Sequence, residues 1–151
     1  WRWKKWKEEV IIKSVIPVHV DLSTIIDQNG QQEKFTFTEE GTFVEMNGKY
    51  YLRYIEHQDG QETPVQIKFE DELIRLRRRG NVETNLFLDP TQETIMRYQT
   101  EYGMIKIDVL TESLEKDVDV KTPAGHFSVK YQLKQAGQLI GSYQLELQFA
   151  A

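Results

Sequence analysis

At 151 residues the chain is long enough for one domain with a sizeable core, and without cysteine it has no disulfide, thiolate metal site or cysteine nucleophile. Its net charge of −5 is unevenly spread: Arg2, Lys4, Lys5, Lys7 and Lys13 against Glu8 and Glu9 give residues 1–13 a charge of +3, leaving −8 on the rest, which argues against general nucleic-acid binding. No apolar run approaches the ~18–20 residues of a membrane-spanning helix, and the basic start leads into no signal-like apolar stretch, so export is not expected and a cytoplasmic setting is.

The first predicted element is a short amphipathic helix. Trp3, Trp6 and Val10 recur at helical spacing among good helix formers, so residues 1–13 are expected to form an extension lying on the remaining domain, residues 14–151. From there on the period changes to two. Ile16, Val18, Val20 and Leu22 alternate with Pro17, His19 and Asp21, and Pro17, which cannot donate to a ladder, predicts an edge or a bulge.

Asn29-Gly30 turns the chain into a strand that begins at Phe35 and Phe37, in which Gly41 predicts a bulge or bend. Asn47-Gly48 is the strongest hairpin signal, and Tyr50, Leu52, Tyr54 and Glu56 share one face of the strand that returns from it. After Asp59-Gly60 come Val65, Ile67 and Phe69, then Ile74, Leu76 and Arg78, then Val82 to Leu88 closed by Asp89-Pro90. Met96, Tyr98 and Thr100 turn at Gly103 into Ile105, Ile107, Val109 and Thr111, beyond which residues 114–120 alternate less clearly. The last pair carries Phe127, Val129, Tyr131 and Leu133, and then Tyr143, Leu145, Leu147 and Phe149.

Short strands joined by hairpin turns, with no helical crossover, predict an all-β antiparallel up-and-down barrel of eight to ten strands, because closure removes exposed edges. The ordered segments Glu40-Gly41-Thr42-Phe43, Tyr51-Leu52-Arg53-Tyr54-Ile55-Glu56, Arg78-Arg79-Gly80, Tyr98-Gln99-Thr100-Glu101-Tyr102-Gly103 and Tyr131-Gln132-Leu133 resemble the YwiB-like bacterial proteins. The resemblance implies a calycin-like (lipocalin-like) barrel and a bacterial cytoplasmic protein, and it supplies no function. The Gly-x-Trp of true lipocalins is missing near the first strand, so ligand binding is not inherited from them.

Two charges fall on apolar faces. Arg78 shares parity with Ile74 and Leu76, and Glu56 with Leu52 and Tyr54. Unpaired burial of either costs several kcal/mol, so each needs a partner. One solution pairs them with each other or with tyrosines. The other is an anion site in which Arg78, with the hydroxyls of Tyr54, Tyr98 or Tyr131, holds a carboxylate or phosphate. A hollow interior would then be lined by Leu52, Leu76, Val129 and Leu145 with Tyr54, Arg78, Tyr98 and Tyr131.

Arg75, Arg77 and Arg79 form an outward basic stripe, with Glu83 as a candidate cross-strand partner. His19, His57 and His126 all point outward, Asp117 and Asp119 lack the rest of a calcium loop, and no phosphate loop, nucleophile elbow or zinc-protease helix occurs. The expectation is a non-catalytic, cofactor-free barrel that binds a small anionic or amphipathic ligand. The alternative is a module that meets a protein or RNA partner through its outer face.

Overall fold

Four two-residue turns set the hairpins of the computed structural model, which describes residues 11–151. Asn29-Gly30, Asn47-Gly48, Asp59-Gly60 and Ala136-Gly137 all have positive φ at both positions. This matches the strand twist and is most costly at Ala136, because alanine lacks the tolerance of asparagine and aspartate for the left-handed region.

These turns and the connections between them give ten antiparallel strands: β1 (Ile12–Gln28), β2 (Gln31–Met46), β3 (Lys49–Gln58), β4 (Gln61–Phe69), β5 (Ile74–Arg79), β6 (Glu83–Leu88), β7 (Thr94–Thr100), β8 (Gly103–Asp119), β9 (Ala124–Gln135) and β10 (Gln138–Ala150). The sheet order is β6-β5-β4-β3-β2-β1-β10-β9-β8-β7, so every chain neighbour but one is also a sheet neighbour. The exception is β6 and β7, the two ends of the sheet. They meet across a short connection where the Thr94 hydroxyl donates to the Phe87 carbonyl at 2.7 Å. The result is a nearly closed barrel whose single core takes side chains from all ten strands.

The N-terminal helix needs correction. Residues 1–10 lie outside the described residues, so Trp3, Trp6 and Val10 are not placed. Ile12 and Lys13 already belong to β1, and no described residue is helical. Ile11 exchanges hydrogen bonds with Asn47 of the β2–β3 turn (Ile11 N to Asn47 Oδ1 2.9 Å, Asn47 N to Ile11 O 2.9 Å). Strand pairing therefore overrides helix propensity from Ile12 onward. Pro17 sits where expected for a residue without N–H: β10 pairs with β1 only from His19, so Pro17 faces a partner, Thr42, on one side alone.

No described helix is long and apolar enough to cross a membrane. The strands turn apolar side chains inward and charged ones outward, the reverse of a lipid-embedded barrel.

Candidate functional site

The interior has two unlike halves. At the end bearing the β2–β3 turn, Phe43 stacks between Phe149 and Tyr50 (ring centroids 5.2 and 5.7 Å), and Phe69 meets Phe127 and Phe149 at 6.2 and 6.0 Å. These rings plug the barrel. At the other end, among the β1–β2, β3–β4 and β9–β10 turns, a cavity of about 330 Å³ remains. Leu76, Met96 and Leu145 supply its apolar wall, and Arg78, Tyr131 and Tyr143 its polar one.

Glu56 is 4% exposed and lies beneath Arg78. The guanidinium donates twice, from Nη1 to Oε1 at 2.6 Å and from Nη2 to Oε2 at 3.2 Å. The Tyr54 hydroxyl adds a third donor to Oε2 at 3.2 Å. Burial pushes the Glu56 carboxyl above its ordinary range, although Arg78 and Tyr54 pull it back. Burial, reinforced by the Glu56 charge, also holds the Tyr54 phenol well above its ordinary value, so it stays a neutral donor.

Arg78 is not used up by this pair. Its side chain is 32% exposed, and only two of the five N–H groups of a guanidinium meet protein acceptors among the described residues. Tyr131 lies in the same cavity, its ring stacked on Tyr143 at 5.0 Å. Its hydroxyl has no protein partner among the described residues, and burial raises it to about 12, leaving it protonated at any ordinary pH. The arrangement thus combines an apolar pocket with a cation and a neutral hydroxyl donor.

Of the two solutions for Arg78, the structure shows the first, pairing with Glu56, and leaves the guanidinium facing a cavity. The predicted lining needs revision. Leu76, Leu145, Arg78 and Tyr131 line the cavity, whereas Leu52 and Val129 are wholly buried in the packed core. Tyr54 does not line it and acts through Glu56; Tyr98 packs against the core elsewhere. Met96, Tyr143 and Gln58 line the cavity without being among the expected residues. Tyr143 reaches the site because β10 sets it opposite Tyr131, and Gln58 because β3 ends at the cavity mouth.

Beside the cavity the wall between β2 and β3 is split. Their pairing stops at Gly41 and Tyr54, while β2 continues along β1 and β3 along β4. Glu39 spans the gap, accepting the His57 backbone N–H at 2.8 Å and approaching its Nδ1 at 3.0 Å, while His57 Nε2 lies 3.4 Å from Glu62. The hydrogen bond to Glu39, helped by the charges of Glu39 and Glu62, raises the His57 imidazole above its ordinary value.

A raised histidine stabilises the fold most fully below its unfolded value of about 6.5, and this contribution is lost as pH rises through the folded value. A proton NMR titration is expected to place the His57 midpoint above that of a solvated histidine and to bring it down in Glu39→Gln. An unchanged midpoint in the variant would refute the bridge.

On the outer wall, His19, His126, Asp117 and Asp119 share one groove, but no group of three or more metal-ligating side chains is arranged to hold an ion among the described residues. His57 lies elsewhere, at the split. The arginine stripe is outward as expected, with Arg77 Nε donating to Glu83 at 2.6 Å.

Fold and site together define a small antiparallel barrel with one end plugged by aromatic rings and the other half-open around an arginine. The chain belongs to the family described as a domain of unknown function, DUF1934, which matches residues 20–147. It is 25% identical over 122 residues to the uncharacterised β-barrel protein YwiB of Bacillus subtilis strain 168, covering 81% of this chain and 84% of that protein. The crystal structure of the ywiB protein from Bacillus subtilis has the same fold, with a TM-score of 0.78 and 21% identity over 93% of this chain and 94% of that one.

Proposed function

We propose that the barrel is a non-catalytic binding protein for a small amphipathic anion, held in the half-open end of its interior. The observation that carries this reading is Arg78, an interior cation with N–H groups left over, at the wall of a mainly apolar cavity. A carboxylate head would take the free N–H groups of Arg78 and the Tyr131 hydroxyl, and its tail would lie among Leu76, Met96 and Leu145. An apolar cavity with a few convergent polar groups is the usual construction of a small-molecule site. The arginine fork suits a carboxylate, and Glu56 behind it fixes the orientation of the fork. A calycin-like carrier in a reducing cytoplasm fits a cysteine-free chain of this kind.

Thermal denaturation with octanoate, octanol and octylamine tests the proposal. Ligand that binds only the native state stabilises it by about 2.7 kcal/mol at a hundredfold excess over Kd, or several degrees for a domain of this size. Octanoate is expected to raise the Tm of the wild type, with octanol and octylamine doing little. Arg78→Ala/Glu56→Ala, which removes both charges together, is expected to abolish the shift. No shift with octanoate, or an equal one in the double variant, would overturn the reading.

A further inference from the structure

The outer face of β3 to β6 carries a charge opposite to that of the whole chain. Outward positions there hold Lys49, Arg53, Lys68, Arg75, Arg77 and Arg79 against Glu62 and Glu83, on a protein of net charge −5. In sequence the arginine stripe has no aromatic residue between its members. The register supplies them. One outward row runs Tyr51, Lys68, Arg75, Phe87 across four strands, and the next runs Arg53, Gln66, Arg77, Asn85.

Arg75 lies over the Phe87 ring at 4.7 Å and Arg53 over Tyr51 at 5.8 Å. A ring beneath a guanidinium holds its plane while leaving the outer face and most N–H groups to a partner. Arg53, Arg75 and Arg79 have no carboxylate within 4.0 Å among the described residues, whereas Lys68 is 3.5 Å from Glu70.

The face is also concave. Where β2 bends away from β3, a groove of about 780 Å³ opens beside Arg53, Arg77 and Arg79, floored by the exposed apolar surfaces of Ile55 and Pro64. The only carboxylate on its lining among the described residues, Glu40, is 2.6 Å from His19.

We infer that this face binds a single-stranded nucleic acid. On β5, Arg75 and Arg79 are free on either side of Arg77, which Glu83 already holds at 2.6 Å, so the two stand about 14 Å apart on one strand, comparable to two phosphate repeats of an extended strand. The arginine fork pairs bidentately with phosphate, and stacked guanidinium planes with the Ile55–Pro64 shelf offer surfaces on which bases can lie. An acidic peptide would use the charge but leave these flat surfaces idle. The overall negative charge does not oppose the assignment, because local potential over a groove governs encounter. The outer face is separate from the barrel cavity, so this inference stands apart from the proposed ligand.

Fluorescence anisotropy of the whole protein with labelled RNA and DNA of one mixed sequence, about a dozen nucleotides long, tests it. Binding is expected at about 50 mM salt, with log K falling against log [salt] at a slope of about −2 if three phosphates are neutralised. Arg53→Gln/Arg75→Gln/Arg79→Gln is expected to weaken binding about tenfold or more and flatten the slope. Lys130→Gln, on β9, should leave binding unchanged. If the triple variant melts early, Arg75→Glu alone should show a smaller loss in the same direction. A preference for RNA over DNA would assign the 2′-hydroxyl a part, and equal affinity would assign recognition to backbone and bases. The inference is overturned if neither strand binds, if the arginine variants bind as wild type, or if polyglutamate of equal charge displaces the strand as well as unlabelled RNA does.

Discussion

Arg78→Leu is expected to destabilise the barrel by about 3 kcal/mol at neutral pH, the lower end of the cost of breaking a buried pair. The loss comes from what remains: Glu56, 4% exposed, keeps one donor, Tyr54, and loses two. Water in the adjoining cavity softens the penalty, and protonation caps it. Neutralising a carboxylate of ordinary pKa near 4.3 at pH 7 costs roughly 3.7 kcal/mol, at 1.36 kcal/mol per unit. The pH dependence follows from the sign of the shift. Burial already raises the folded value of Glu56, so its ionisation penalises the native state more than the unfolded one. Stability is therefore lost as pH rises from the ordinary carboxylate range through the folded value. Without Arg78 that value rises further, so the deficit of Arg78→Leu should shrink as pH falls towards 5. Glu56→Leu added to Arg78→Leu is expected to restore most of the stability, since two aliphatic side chains replace a desolvated pair. Denaturant unfolding of the four proteins gives the coupling. Additive losses in the double variant would mean that the two groups do not act as a pair.

Parity alone placed Arg78 and Glu56 inside, because a period of two leaves no other face for residues sharing a side with Leu76 and Leu52. The same rule explains the weak signal of residues 114–120. A bulge between Thr111 and Ser113 shifts the inward positions from Val109 and Thr111 to Leu114 and Val118, so the alternation breaks although β8 is continuous. What parity cannot supply is register. Tyr143 joins the site because the β9–β10 hairpin, with a shift between Leu139 and Gly141, sets it opposite Tyr131, and because β10 closes on β1 at the far end of the sequence. Tyr98 shares the parity of Met96, which does line the cavity, but lies one inward position further along β7 and outside the lining. The division of the interior depends on where bulky rings meet. Phe43, Phe69, Phe127 and Phe149 read simply as core, and only their convergence at one end leaves space at the other.

Gly41→Ala is expected to cost about 3 kcal/mol, the upper end of the usual penalty for overpacking. Gly41 is the last rung of β2 against β3, and the strands come so close there that a Cβ would lie 2.5 Å from the Arg53 carbonyl oxygen and 3.0 Å from the Tyr54 Cβ. The nearest obstacle is backbone, which cannot swing aside as a side-chain tip would. Val20 closes the third direction at 3.2 Å. The sign separates this account from a purely local one. Where a glycine's backbone suits other residues, alanine stabilises by about 0.4–1 kcal/mol through the unfolded chain, so a clash must reverse that trend. The displaced rung adjoins the split bridged by Glu39 and His57, so relief by moving β2 away from β3 should also lower the His57 midpoint. Urea unfolding and the histidine titration of the same variant therefore belong together. Loss of stability with a lowered midpoint would show that close approach at Gly41 sets the geometry of the split. A variant as stable as the wild type would show that the bend does not depend on a missing Cβ.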